Sequence, residues 1–308
     1  MSEAFRLYLI IIASCLVGAA VVLGIASRML GRNVEKVWST YRSWLVMIPL
    51  AMFGIYLGRV GTIVFVTSLM FVACYEFARA TKLTSDKWML GAVMILIAAT
   101  GLTALIHDPL YNTAGSLPLF LAMPMYAIAL VLVVPVIRNR VEGQLRTISL
   151  AIVAYVLLGW MLGHLGHLAN SNSSEGYLLF LLFAVELNDV AAFTFGKLFG
   201  RHPLRSKISP KKTWEGALGG FCISMILPWL VRFSFPDGFG TTQLLLAGVI
   251  VGIGGPMGDL AISVIKRDLD VKDMGTAIPG HGGVLDRVDS LLFTSPFFFH
   301  MLNYFDLL

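Results

Sequence analysis

Charge is what this sequence lacks. Asp, Glu, Lys and Arg make up 13% of the 308 residues, whereas hydrophobic residues make up 57%. A soluble domain carries about 25% charged residues, which cover its surface. This composition excludes an ordinary soluble domain and predicts an all-α, polytopic integral membrane helical bundle.

Cysteine is also scarce, and its spacing excludes two kinds of site. Cys15, Cys74 and Cys222 each lie inside an apolar stretch, and no two of them have metal-ligand or redox spacing. We interpret all three as small buried hydrophobic side chains. The Cys and His sets that bind zinc are missing as well.

Apolar runs of about 15–25 residues recur along the chain, and each is long enough, or nearly so, to cross a bilayer as a helix. The first run is too long for the apolar part of a signal peptide, so we expect it to be retained. The second run is short and ends at Gly58, so the second and third could instead form a re-entrant pair. The runs predict about ten transmembrane helices, at 7–26, 44–58, 60–78, 88–106, 117–137, 147–168, 177–197, 215–235, 242–265 and 288–307.

The loops between these runs alternate in charge. Lys and Arg are nearly absent from every second loop and are concentrated in 27–43, 79–87, 138–146, 198–214 and 266–287. The positive-inside rule places the basic loops in the cytoplasm and both termini on the other side. The same loops explain the net charge of +5 without nucleic-acid binding.

We expect residues 1–308 to form a single membrane domain with two unequal parts. Residues 1–170 carry few polar groups inside their spans and read as scaffold-like helices. Residues 177–308 contain acids where each costs about 2.5–3.5 kcal/mol to insert, so this part, with cytoplasmic loops 198–214 and 266–287, is the expected catalytic part. Glu76 is a weaker case, which we interpret as a membrane-edge acid paired with Arg79.

Carboxylates in the second part indicate a metal site. Asp259, Ser263 and Lys266 fall on one stripe of a helix, and Asp286 and Asp289 share a face of the next, with Arg287 pointing elsewhere. Converging carboxylates repel each other unless a cation lies among them. Hard oxygen ligands suit Mg²⁺, so we predict Asp259, Asp286 and Asp289 as its ligands.

Asp189 is a further candidate, three residues after Glu186 on the same helix face. It would order a second cation or a lysine. A structural hydrogen bond or ion pair explains it equally well.

The loop before Asp286 is suited to phosphates. Lys266, Arg267, Lys272 and Arg287 would neutralise anionic oxygens. Gly282 and Gly283, in "PGHGG", let backbone N–H groups approach a bulky anion. His281 either donates a hydrogen bond to a phosphate or holds the loop.

The other basic loop of the expected catalytic part, at 198–214, contains the start of "SPKKTWEG". Ser209 followed by Pro210 predicts a helix start, with Lys211, Lys212 and Thr213 in the first turn. Lysines there oppose the macrodipole, which indicates a bound anion. The alternative is a loop that fixes topology or meets anionic lipid.

The stretch from Ser263 to Asp289 reads S-x-x-K-R-x₄-K-D-x₄-I-P-G-H-G-G-V-x-D-R-V-D. It closely resembles the signature of the CDP-diacylglycerol synthases, or phosphatidate cytidylyltransferases. "SPKKTWEG" and the D-x-x-A-F-x-x-G-K-x-x-G-R run from Asp189 resemble that family's other motifs. One departure is Ile262, where many members have Glu, and it puts the acceptor lipid in doubt.

The resemblance implies an enzyme, usually a homodimer, that transfers CMP from CTP to phosphatidate with Mg²⁺, giving CDP-diacylglycerol and pyrophosphate. We expect it in the bacterial inner membrane with its active site facing the cytoplasm. The implied partners are CTP, phosphatidate or a related lipid phosphate, and membrane lipids, without nucleic acid. Residues placed in catalysis are Asp259, Lys266, Arg267 and Asp286. Those placed in substrate binding are Asp189, Ser209, Lys211, Lys212, Thr213, Ser263, Lys272, His281, Gly282, Gly283 and Arg287.

Three rival functions stay open. A CTP-dependent lipid kinase of the dolichol or phytol kinase type would also need a cytoplasmic metal–nucleotide site. Cytidylyl transfer to another lipid-like phosphate is a closer variant. A transporter is disfavoured, because its charged residues would lie near mid-membrane on broken helices, whereas these gather at one face.

Overall fold

A computed structural model describes residues 2–28, 35–109, 112–278 and 282–308. Helices make up most of this part of the chain, with two short hairpins between them. The helices are α1 (Glu3–Arg28), α2 (Glu35–Tyr56), α3 (Gly58–Ala80), α4 (Lys87–Leu105), α5 (Leu117–Ile137), α6 (Gln144–Ala154), α7 (Leu162–Leu168), α8 (Ser174–Phe199), α9 (Trp214–Leu230), α10 (Thr241–Asp268), α11 (Leu285–Val288) and α12 (Leu291–Tyr304). The strands are β1 (His107–Asp108), β2 (Thr113–Ala114), β3 (Pro203–Arg205) and β4 (Ser209–Thr213).

Helices stand at all the predicted span positions, which confirms a polytopic helical bundle. A π-helical turn at Tyr155–Met161 joins α6 to α7, so that the two form one long helix. Within the described residues, seven helices are long and apolar enough to cross a membrane: 3–25, 58–80, 87–105, 117–137, 144–168, 174–199 and 241–268. Since α2, α9 and α12 fall outside this set, the count of ten spans stays a prediction.

The second apolar run is longer as a helix than it is in the sequence pattern. At about 1.5 Å per residue, α2 reaches roughly the 30 Å thickness of the hydrocarbon core. Leu57 alone separates it from α3, and Gly58 makes the reversal with φ +74°, which glycine adopts without strain. By length α2 is compatible with a full span, but it is not apolar enough to join the seven qualifying helices.

The core lies where α3, α4, α7, α8, α10 and α12 meet, and it contains large side chains such as Tyr155, Phe180 and Phe298. Many apolar side chains are exposed on the outside, as expected where the surrounding solvent is lipid. Cys74 is buried, but Cys15 and Cys222 are exposed, so our interpretation was wrong for two of the three cysteines.

The predicted helix start at Ser209 is wrong. Residues 209–213 form β4, which pairs with β3 in an antiparallel hairpin, and α9 begins only at Trp214. Thr213 is the N-cap, because its Oγ1 accepts a hydrogen bond from the Gly216 N–H. Glu215 accepts hydrogen bonds from the Arg201 and His202 N–H groups, which ties the hairpin to α9.

The last predicted span is also divided. The short helix α11 ends at Val288, and α12 begins at Leu291 after the Asp289–Ser290 junction. Helix α10 packs directly on this junction at Gly258, where any Cβ would collide with the Asp289 carbonyl. The close approach brings the acids of α10 and of the junction together.

Candidate functional site

A polar cavity of about 120 Å³ lies between α8, α10 and the α11–α12 junction. Six acidic side chains line it against two basic ones, so it has an excess of negative charge. The acids are Glu186, Asp189, Asp259, Asp273, Asp286 and Asp289, and the bases are Lys266 and Arg287. Carboxylates held this close favour a bound cation.

Asp259 is held by the stripe that the sequence predicted. Ser263 Oγ, one turn later on α10, donates to Asp259 Oδ1 at 3.1 Å. Lys212 reaches over from β4 and forms an ion pair with Asp259 Oδ2. Strand β4 therefore brings one of its two lysines to a carboxylate of the cavity.

Asp286 is buried, and protein donors occupy both of its oxygens. Lys266 Nζ donates to Oδ1 at 3.0 Å, and the N–H groups of Met274 and Gly283 donate to Oδ2 at 2.9 Å. A buried ion pair is tolerated when such additional hydrogen bonds satisfy its remaining lone pairs. Asp286 thus holds the Lys266 side chain and the loop backbone at Met274 and Gly283. Its predicted role as a metal ligand stays a prediction.

Asp189, which the sequence offered as a further candidate, lies near Asp259 and Asp289. The carboxylates of Asp259 and Asp189 lie close enough to Asp289 to repel its charge. Ser290 links two of them, since its N–H donates to Asp289 Oδ1 at 2.8 Å and its Oγ donates to Asp189 Oδ2 at 3.4 Å. Asp189 therefore joins Asp259 and Asp289 among the acids that line the cavity.

We predicted that Arg287 would point away from Asp286 and Asp289, but that prediction was wrong. Its side chain lines the cavity, where its charge attracts Glu186, Asp189 and Asp289. Its Nε is buried without a partner among the described residues. An unpaired buried donor costs about 1–3 kcal/mol, so this nitrogen indicates a ligand that the protein alone does not supply.

Several predicted substrate contacts lie outside the cavity. Arg267 is exposed and donates through Nε to the Ile208 carbonyl at 3.2 Å and through Nη1 to the Val271 carbonyl at 3.4 Å, tying the hairpin to the end of α10. Lys211 and Lys272 are exposed, and Ser209 begins β4. None of these four side chains lines the cavity.

Backbone groups of the glycine-containing loop form hydrogen bonds within the protein, which we did not predict. The N–H of Gly283 donates to Asp286, and the carbonyl of Gly282, at φ +82°, accepts from the Ile278 N–H. The Gly283 N–H is therefore not free for an anion. His281 lies outside the described residues.

The cavity fits a metal ion that the protein holds only in part. Within the described chain, no three acidic, His or Cys side chains are arranged to enclose an ion. Mg²⁺ usually takes one or two carboxylates, with waters and substrate phosphates completing its shell, and this cavity offers such carboxylates. Its volume of about 120 Å³ is enough for an ion with bound water or for a phosphoryl group.

One buried acid in contact with the loop before Asp286 was missed by sequence reasoning. Glu76, on α3, is buried and accepts hydrogen bonds from the N–H groups of Val284 at 3.0 Å and Leu285 at 2.8 Å. Our pairing of Glu76 with Arg79 was wrong. The apolar neighbours of Glu76 were a signal of its burial, but nothing local indicated a partner 208 residues away.

Comparison with known proteins gives two kinds of match. The model of the cytidylyltransferase family matches residues 38–305. The uncharacterized protein YnbB of Escherichia coli strain K12 is 32% identical over 282 residues, which cover 90% of this chain and 91% of that protein.

Proteins named phosphatidate cytidylyltransferase match a shorter region. The protein of Staphylococcus haemolyticus strain JCSC1435 is 40% identical over 159 residues, and that of Staphylococcus aureus strain COL is 41% identical over 163. Each alignment covers 52% of this chain and 60% of the relative, so the chain spans well under two thirds of these proteins.

Proposed function

This chain belongs to the cytidylyltransferase family, and from that premise we propose that it transfers CMP from CTP to phosphatidate, forming CDP-diacylglycerol and pyrophosphate. Membership of the family makes it a nucleotidyltransferase. The acceptor is the proposed part. It is supported by the relatives named phosphatidate cytidylyltransferase, although they match 60% of their length.

The observation that carries the proposal is the cavity, where carboxylates for a cation stand beside cationic side chains for phosphates. A phosphomonoester carries a charge of about −1.5 to −2 at neutral pH, so the acceptor is already a nucleophile and needs no general base. Its oxygen attacks the α-phosphorus of CTP. The bond from that phosphorus to the bridging oxygen breaks, and pyrophosphate leaves with the electron pair.

The chain's own contribution is positioning and charge. Asp189, Asp259 and Asp289 would provide oxygen ligands for Mg²⁺, which when bound withdraws charge from the α-phosphorus and the leaving group. Lys212, Lys266 and Arg287 are placed to offset the charge of the two anionic substrates. Such electrostatic preorganisation carries most of the catalysis in phosphoryl-type transfer.

The same proposal includes the setting of the reaction. Two of the basic loops reach acids of the cavity, one through Lys212, which pairs with Asp259, and the other through Lys266, which pairs with Asp286. Since basic loops stay on the cytoplasmic side, we propose that the cavity opens to the cytoplasm from the bacterial inner membrane. The homodimer that the family resemblance implies is also part of the proposal.

The test uses the full chain purified in detergent, with Mg²⁺ and CTP labelled at either the α- or the γ-phosphate. Phosphatidate, other lipid phosphates and unphosphorylated lipid alcohols are offered separately. We expect α-label in the lipid product with phosphatidate, together with released pyrophosphate. Label entering a lipid alcohol only from the γ position would identify a kinase and overturn the proposal. Transfer of α-label only to another lipid phosphate would overturn the acceptor.

A further inference from the structure

The buried carboxylate of Glu76 belongs to the first part of the chain, yet it contacts the loop that leads into α11. Glu76 is 6% exposed near the end of α3. Its Oε1 accepts from the Val284 N–H and its Oε2 from the Leu285 N–H, the two amides at the start of α11. A buried carboxylate is tolerated only when it is paired in this way, so α3 and this turn depend on each other.

Two glycines show how tightly the loop closes on Glu76. A Cβ at Gly275 or at Gly283 would collide with the carboxylate of Glu76. The backbone therefore passes the Glu76 side chain twice, at Gly275 and again at Gly283. Both passages need a residue without a side chain.

The same two passages hold Asp286. Its Oδ2 accepts from the N–H groups of Met274 and Gly283, each of which is next in sequence to a residue in contact with Glu76. Asp286 in turn holds Lys266 Nζ at the cavity wall. The chain of contacts thus runs from Glu76 through the loop to Asp286 and then to Lys266.

We propose that Glu76 is a positioning residue for the cavity, which sets the backbone at 274–275 and 283–285 and through it the place of Asp286 and Lys266. Both carboxylate oxygens are needed, because each faces a different backbone N–H. A glutamine would keep one acceptor but would turn its amide donor toward the second N–H. The loop would then loosen without any change at a residue that lines the cavity.

Amide hydrogen exchange tests the connection without any substrate. The full chain in detergent is compared with E76Q, using peptides that separate Met274 from Val284 and Leu285. We expect faster exchange at Met274, which bonds to Asp286 and not to Glu76, while the amides of α8 keep their wild-type rates. Wild-type exchange at Met274, with faster exchange only at Val284 and Leu285, would overturn the proposal.

Kinetics tests the consequence for catalysis, and this arm alone rests on the proposed function. E76Q should lower kcat by about tenfold or more, since a displacement of about 1 Å at a catalytic group has effects of this size. The KM for the acceptor lipid should stay near its wild-type value, because Glu76 contacts no substrate. A merely structural role would lower the folded fraction and leave kcat per folded molecule unchanged, which would also overturn the proposal.

Three further variants keep the test interpretable. E142Q makes the same chemical change at an exposed residue in another loop and should match wild type in both experiments. If E76Q does not fold, G275A presses on the same carboxylate from the loop side and should accelerate exchange at Met274, whereas G238A, with no close neighbour, should not. Absence of CTP transfer by the wild-type protein would remove the proposed function but would leave the exchange result to decide on Glu76.

Discussion

The two lysines of β4 show how one residue step separates a cavity group from a surface group. Side chains alternate between the faces of a strand, so Lys212 turns to Asp259 while the exposed Lys211 turns away. From the sequence, both were predicted substrate contacts. The helix start that we predicted at Ser209 would not place the two lysines on opposite faces, so the difference between Lys211 and Lys212 follows from the strand.

Substitution of these lysines by methionine tests this difference. K212M removes the ion-pair partner of Asp259 and a positive charge beside the cavity, so kcat/KM for CTP should fall about tenfold, which is about 1.4 kcal/mol of transition-state binding. K211M makes the same chemical change on the other face and should lower it by about twofold at most. Equal losses in the two variants, measured with the labelled-CTP assay, would mean that β4 does not present its faces as described.

The buried pair of Lys266 and Asp286 supports a second prediction. D286N removes the charge partner of a buried ammonium and weakens the hydrogen bonds that fix Met274 and Gly283, so cytidylyl transfer should be abolished while the protein still inserts into the membrane. Breaking such a pair costs about 3–5 kcal/mol, so thermal unfolding in detergent should also shift downward.

The control for D286N lies in the same loop. D270N makes the same chemical change at an exposed residue that stands outside the cavity, and it should retain activity and stability. Full activity of D286N with Mg²⁺ would contradict both the predicted metal ligation and the positioning of Lys266.

At the scale of elements, a single ion pair joins α4 to the end of α5. Arg138 Nη1 donates to both oxygens of Asp86, at 2.6 and 2.7 Å, and Asp86 also caps α4 by accepting from the Met89 N–H. Burial of the Asp86 carboxyl opposes its ionisation. The hydrogen bonds from Arg138 and Met89 outweigh burial and hold the pKa of Asp86 below its usual value.

This pair predicts a stability difference that depends on pH. R138M should lower the free energy of unfolding by about 1 kcal/mol at neutral pH. Because the folded pKa is depressed, the contribution is complete above the unfolded value of about 3.9 and is lost as pH falls through the folded pKa. The melting temperatures of wild type and R138M should therefore converge under acid conditions. R140M, at an exposed arginine nearby, should match wild type at every pH, and a constant gap for R138M would contradict the ion-pair explanation.

At the scale of the whole molecule, membrane topology follows from whether α9 and α12 cross the bilayer. Both are shorter than the seven qualifying helices. If both cross, or if neither does, the loop at 138–143 and the C-terminus lie on opposite sides, with the basic loop inside.

Single cysteines introduced into a background without Cys15, Cys74 and Cys222 test this arrangement. E142C should react with a membrane-impermeant maleimide only in inside-out vesicles, and L308C only in intact cells. Labelling of both positions in the same preparation would mean that only one of the two short helices crosses. The exposed sulfhydryl groups of Cys15 and Cys222 make the background substitution necessary.

The sequence by itself determined the helical elements and one stripe of the site. Apolar runs and loop charge are local properties, so they located helices at every predicted span, and helical periodicity placed Asp259, Ser263 and Lys266 on one face. Turn chemistry misled at Ser209, because strand pairing between 203–205 and 209–213 satisfies the backbone that a helix start would otherwise have used.

Only the tertiary structure decided which distant groups meet. Asp189 joins Asp259 and Asp289 because α8 packs on α10 and Gly258 admits the α11–α12 junction. Glu76 reaches Val284 and Leu285 because α3 packs against that turn, a contact between residues 208 and 209 positions apart. Periodicity in the sequence indicates the face of an element on which a residue lies. Tertiary packing determines which residues that face contacts, and the role of a buried charge depends on those contacts.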